Sequence, residues 1–180
     1  MKIFIAGPRS VNELDKCVKQ KLENIFFKGY NILIGDAGGI DSSVQRYMLS
    51  KKYKNVTVFA SNGIARNNYG NWKIENVKVT EGISGFNFYV KKDIEMAKQA
   101  DIGFMIWNGK SRGTFNNVIN CLKLEKEVII YYIPKKCFFY LKTIDELYSF
   151  LNENVKLDYK LKQLLPLKKD IEYAQVCLFW

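Results

Sequence analysis

Apolar positions in this chain follow two alternating rhythms. Short unbroken runs, such as Ile3-Phe4-Ile5-Ala6 and Phe104-Met105-Ile106-Trp107, suit strands buried on both faces. Between them, apolar residues recur three and four apart, the spacing of a helix with one buried face. The pattern predicts a strand over 2–6 and then a helix over 11–28 carrying Val11, Leu14, Val18, Leu22, Ile25 and Phe26, with Gly29 as its C-terminal cap. A strand over 31–34, a helix bearing Val44, Tyr47, Met48 and Leu49, and a strand over 56–60 follow. Residues 61–88 are irregular, with a short strand at 77–80, and read as a ligand-covering excursion. Regularity resumes with a helix at 89–99, a strand at 102–107, a helix at 114–124 and a strand at 128–132.

This alternation predicts an α/β fold, a Rossmann-like three-layer sandwich with a mainly parallel sheet and helices on both faces. The core spans 1–133. An extension over 134–180 holds an edge strand at 138–140, a helix marked by Ile144, Leu147, Phe150 and Leu151, and a helix over 157–165 stopping near Pro166. Its apolar, aromatic end at 174–180 is expected to dock on the body or at a subunit interface, which makes a homo-oligomer the expectation.

Composition narrows the chemistry. The 180 residues, 48% of them apolar, suffice for one buried core. No apolar run reaches membrane-spanning length and no secretory leader is visible, so a cytoplasmic protein without membrane association is expected. Cys17, Cys121, Cys137 and Cys177 are widely spaced and read as free thiols. Histidine is absent, which removes Ser-His-Asp and Cys-His nucleophiles and the commonest metal ligand; no metal and no cofactor are expected.

The net charge of +10 suits an acidic partner, but the basic residues are dispersed, so nucleic acid is the lesser expectation. Arginine placement is more telling. Three of the four arginines (Arg9, Arg66 and Arg112) stand in stretches rich in Gly, Asn or Ser, where a guanidinium fork suits phosphate. Arg46 reads as a surface charge on a helix.

Two glycine-bearing turns follow strands: Gly7-Pro8-Arg9-Ser10, and Asn108-Gly109-Lys110-Ser111-Arg112-Gly113-Thr114 before a helix. Backbone N–H groups at such a helix start favour an anion. The second turn lacks Walker A spacing, so it does not indicate magnesium-dependent ATP hydrolysis. Its bland alternative is a helix start capped by Ser111 or Thr114. A third turn, Gly35-Asp36-Ala37-Gly38-Gly39-Ile40-Asp41, also permits close ligand approach; Asp41 either caps the next helix or accepts bonds from ribose or base. Asp93 and Glu95 are the carboxylates that stand before the main loop, and Asp93 is the better placed to face a pocket. All these turns follow strands, so one crevice at the strand ends can gather them.

These residues carry a resemblance. Gly7-Pro8-Arg9-Ser10, Gly35 to Asp41, Ala65-Arg66-Asn67 and Ala100-Asp101 through Thr114 resemble motifs of a little-characterised branch of the SLOG superfamily of Rossmann-like proteins. That superfamily includes the DNA-processing protein DprA and the LOG phosphoribohydrolases. The likeness covers about residues 1–132. Asp93, Asp101, Gly113 and Thr114 are also similar in order to nucleoside 2-deoxyribosyltransferases and related N-glycosidases, but Asn117 stands where those enzymes carry glutamate. An amide can bond a ribose hydroxyl and cannot stabilise an oxocarbenium-like charge as a carboxylate does.

The resemblance implies a binder of a nucleotide or nucleotide-derived signal, a sensor or sequestering protein of bacterial or phage defence, rather than an enzyme. The expected phosphate contacts are Gly7, Arg9, Ser10, Gly38, Gly39, Arg66, Gly109, Lys110, Ser111, Arg112, Gly113 and Thr114. Asp41, Asp93 and Asn117 are expected at ribose or base, with Trp107 or Trp72 stacked on the base. The alternatives are an N-glycosidase or deoxyribosyltransferase using Asp93 or Glu95, and a DprA-like binder of single-stranded DNA using aromatics such as Tyr69 and Trp72.

Overall fold

A computed structural model describes residues 1–79, 82 and 85–166. Seven strands form one sheet: β1 (Lys2–Ala6), β2 (Asn31–Gly35), β3 (Val56–Ser61), β4 (Lys73–Val77), β5 (Ile102–Trp107), β6 (Glu127–Tyr132) and β7 (Cys137–Leu141). Their order is β4-β3-β2-β1-β5-β6-β7. All neighbours run parallel except β7, which pairs antiparallel with β6 at the edge. The fold class is therefore the α/β, Rossmann-like arrangement that the alternating pattern implies.

The helices are α1 (Lys16–Phe27), α2 (Ile40–Ser50), α3 (Gly85–Gln99), α4 (Arg112–Lys123), α5 (Ile144–Asn154) and the single turn α6 (Tyr159–Lys162). Two apolar layers sandwich the sheet. Val18, Leu22 and Ile25 of α1 and Val44 and Met48 of α2 bury against Ile3, Ile5, Ile32 and Ile34 on one face. On the other, Met96 and Ala97 of α3, Phe115, Val118 and Ile119 of α4, and Leu147 and Phe150 of α5 cover Phe4, Leu33, Met105 and Ile130. Adjacent strand residues point to opposite faces, which is why Ile3 and Phe4 serve different layers.

Several boundaries differ from the sequence expectation. The first helix starts at Lys16, not at residue 11, because the Asp15 carboxylate caps it by accepting from the Cys17 N–H. Val11 and Leu14 still pack on the core from an irregular segment. The strand expected at 77–80 lies earlier, as β4. Its polar sequence, with Ile74 40% exposed, fits an edge position and carries little apolar signal. The final helix is one turn, and α5 begins at a capping box formed by Thr143 and Glu146. The apolar end at 174–180 and Cys177 lie outside the described residues. Cys17, Cys121 and Cys137 are free thiols. Among the described residues, no helix is long and apolar enough to cross a membrane.

Candidate functional site

β1 pairs with β2 on one side and β5 on the other, so the chain reverses its direction of sheet growth between β1 and β5. The loops leaving these two strands separate to opposite faces and open a crevice at their C-terminal ends, the usual ligand position in such sheets. A cavity of about 710 Å³ occupies this place. It collects Gly7, Arg9 and Ser10 after β1, Asp41 from α2, Asp93 from α3, and Lys110, Ser111, Gly113, Thr114 and Asn117 after β5. Residues 7 and 117 are far apart in sequence, and topology alone makes them neighbours.

The start of α4 is built in detail. Ser111 is its N-cap: its Oγ accepts from the Thr114 N–H (3.3 Å) and the Thr114 hydroxyl (2.9 Å). The Asn108 side chain accepts from the N–H groups of Lys110 and Ser111. Four donors of the turn are thus satisfied internally. The Gly113 N–H, in the first helical turn, has no carbonyl four residues back to bond, and Ser111 keeps its own hydroxyl hydrogen. The anion-attracting end is narrower than the glycine pattern suggested.

The floor of the cavity is charged. Lys92 Nζ, in a residue only 4% exposed, lies 2.7 Å from Asp93 Oδ1. A Cβ at Gly35 would fall 2.5 Å from Asp41 Oδ2 and 2.8 Å from Lys92 Nζ, so both charged groups converge directly over that glycine. Burial pushes the Asp41 carboxyl up to about 7, with Lys92 opposing the shift and Asp93 and Asp36 adding to it. For Lys92 burial works downward, but the attraction of Asp93 and Asp41 outweighs it and raises the ammonium above its ordinary value.

Protonation of Asp41 makes stability depend on pH. The folded carboxyl holds its proton to about pH 7, whereas the unfolded one releases it near 3.8. Native protein therefore binds more protons between those limits, and this group's contribution to stability falls as pH rises through them. Asp41→Asn is expected to remove that slope, so that denaturation at pH 5 and pH 8 shows its benefit mainly at pH 8. An equal effect at both pH values would contradict the assignment. Gly35→Ala is expected to destabilise by about 1–3 kcal/mol by intruding on the same pair, which chemical denaturation would read.

Other expected site residues serve the scaffold. Arg66 lies outside the cavity, where its guanidinium and backbone N–H hold the buried Asp36 carboxylate at 2.6–3.1 Å. Burial pushes Asp36 upward, but these bonds prevail and hold it below the usual carboxylate range. Asn67 donates to the Asp36 carbonyl, and buried Gln45 ties Gly35 to Asn67 and Tyr69. The excursion after β3 consequently clamps the β2 turn; none of the described residues from 61 to 79 lines the cavity.

Gly39 is the N-cap position of α2, at φ 72°, packed beneath the Pro8 and Arg9 backbone, and the Pro8 carbonyl accepts from the Ile40 N–H. Exposed Gly38 is not in the cavity wall. Gly109, at φ 75°, makes the turn beside the Tyr132 hydroxyl, and exposed Arg112 flanks the cavity without lining it. Glu95 accepts from Gln99 outside the cavity.

Trp107 is fully buried, stacked on Phe115 with ring centroids 5.1 Å apart, and its indole N–H donates to the Ser111 carbonyl. It positions the loop and cannot stack on a base. Trp72 is likewise committed, donating to the Tyr53 carbonyl. Tyr69 accepts from Arg46, whose guanidinium lies over its ring.

The sequence reading missed Lys92 and Tyr89, which line the cavity, and Asp36 behind it. Lys92 stands between Lys91 and Asp93 and looks like part of a solvated face; the signal for it was its helical alignment with buried Met96. Tyr89 lies beneath two guanidinium groups, Arg9 at 4.6 Å and Arg66 at 4.4 Å from its ring centroid. Cation–π contact thereby holds the β1 loop to α3.

Comparison with known proteins places this architecture. No family model and no curated protein matches the chain. The chain shares a fold with a bacterial DNA-processing protein. That solved structure, of DNA processing protein A from Helicobacter pylori, is described for its unique single-stranded DNA binding mode. The two chains superpose with a TM-score of 0.57 at 15% identity, covering 92% of this chain and 78% of that one. This likeness concerns the fold alone.

Proposed function

We propose that the cavity between β1 and β5 binds a nucleoside phosphate, with the phosphate at the start of α4 and the rest of the ligand over the Asp41–Lys92–Asp93 floor. One observation carries this reading: a cavity of about 710 Å³, in the size range of small-molecule sites, joins the Arg9–Ser10 loop to Ser111, Gly113 and Thr114. Arg9 and Lys110 supply positive charge at the same mouth. A sensing or sequestering role is the biological form that such binding takes without turnover. Asp93 already pairs with Lys92 and residue 117 is an amide, so binding is favoured over glycosidic cleavage.

The fold likeness to a protein noted for binding single-stranded DNA, together with the +10 charge, supports a second reading, a single-strand binder. Thermal-shift and calorimetric titration with nucleoside 5′-phosphates, unphosphorylated nucleosides and DNA oligonucleotides separates the two. A small-molecule site binds nucleotides saturably and nucleosides far more weakly. A strand-tracking surface binds oligonucleotides alone, with affinity that falls steeply between 50 and 200 mM salt. Absence of nucleotide binding at any salt concentration refutes the cavity reading.

A further inference from the structure

Asn117 stands out among the described residues that line the cavity. Its Oδ1 is buried and has no hydrogen-bond partner, in a residue only 3% exposed. The neighbouring acceptors have partners: Asp93 takes Lys92, Asp41 the Ala37 N–H, and Ser111 the Thr114 hydroxyl. A buried acceptor without a donor is costly, and its position in the cavity wall directs the demand toward a ligand.

Resting on the nucleoside-phosphate reading above, we infer that Asn117 reads a sugar hydroxyl, making the cavity selective for ribose next to the phosphate. Three features of the site lead there. Thr114 and Asn117 are three residues apart on α4 and share one face, so residue 117 lies about 4.5 Å along the axis from Thr114, where the phosphate is placed. The sugar, not the base, occupies that distance from a 5′-phosphate. The same cavity wall also carries the Asp93 carboxylate, an acceptor like the amide oxygen, so this part of the site takes donors. Finally, Lys92 is charged and already neutralises Asp93, which disfavours a cationic donor and leaves neutral hydroxyl groups. The donor-rich mouth at Arg9, Ser10 and Lys110 and the acceptor-rich floor thus match the two ends of a ribose 5-phosphate unit.

The test compares nucleoside 5′-monophosphates with their 2′-deoxy and 3′-deoxy counterparts by calorimetry, using wild-type protein and Asn117→Leu. Loss of the recognised hydroxyl leaves Oδ1 unpaired, so at least one deoxy series is expected to bind about tenfold more weakly to wild type. In Asn117→Leu, ribonucleotide affinity is expected to fall to that deoxy level while the deoxy ligand changes little. Equal affinity for ribo and both deoxy series overturns the inference and leaves the nucleotide reading intact. A ribose preference that persists in Asn117→Leu also overturns the role of this residue. If no monophosphate binds, both readings fall. Should Asn117→Leu not fold, Asn117→Ala takes its place with the same expected result, and a ribose preference that persists in it overturns the role of this residue.

Discussion

Lys92→Met is expected to lower stability by about 3 kcal/mol at pH 8, because it strands buried carboxylates that the ammonium now compensates. Lys92 is among the most buried charged side chains described, and Asp93, Asp41 and Asp36 all act on it. Methionine keeps the unbranched apolar stem and lacks only the terminal ammonium, so packing loss is small. The cost should shrink toward pH 5, where Asp41 holds a proton, since burial has raised that carboxyl to about 7. Adding Asp41→Asn should recover part of the loss, and a double-mutant cycle by urea denaturation at both pH values measures the coupling. The single variant should also weaken nucleotide binding, because an uncompensated anionic floor repels phosphate. Unchanged stability at pH 8 would show that the cluster is not a charge-balanced unit.

Gly39→Ala is the second large effect. A Cβ there would sit 2.4 Å from the Pro8 carbonyl oxygen and 2.5 Å from Arg9 Cα, backbone atoms that have no rotamer by which to yield. The residue also has φ 72° and ψ −129°, a conformation that side chains disfavour. Strain and overpacking together predict a loss of about 3 kcal/mol. Relief requires the β1 loop to move away from α2, which breaks the Ile40 N–H bond to Pro8 and displaces Arg9. Folded variant protein should therefore bind nucleotide at least tenfold more weakly, as judged by the loss of one charge-assisted contact. Gly38→Ala, where a Cβ meets nothing within 4 Å, is the matched control and should leave both properties near wild type.

The contrast between Gly38 and Gly39 shows where the sequence stops being legible. Strand runs such as Ile3 to Ala6 announce burial on both faces, and the strand–helix alternation carries the parallel sheet with it. Turns at strand ends point to a shared crevice, and β1 and β5 do become neighbours. Partnership inside the crevice is another matter. Arg66 looked like a phosphate ligand because loop arginines often are, yet its partner is Asp36, thirty residues away. Trp107 looked like a stacking platform, but a tryptophan at a central strand's end is more valuable to the core, where Phe115 receives it. Nothing in the local sequence marks Lys92 as buried, because burying a lysine is costly; only the assembled cluster of carboxylates explains its position. The strand expected at 77–80 is displaced from its true place at β4 because exposure on one side erases the apolar run on which strand recognition depends.

The most direct test of a single phosphate site shared by two loops is a ¹⁵N NMR titration of the protein with a nucleoside 5′-phosphate. The backbone amides of Arg9 and Ser10 after β1 and of Gly113 and Thr114 in α4 should shift together, along one saturable curve with one dissociation constant. Shifts confined to one of these loops, or spread over the lysine-bearing surface without saturation, would contradict it.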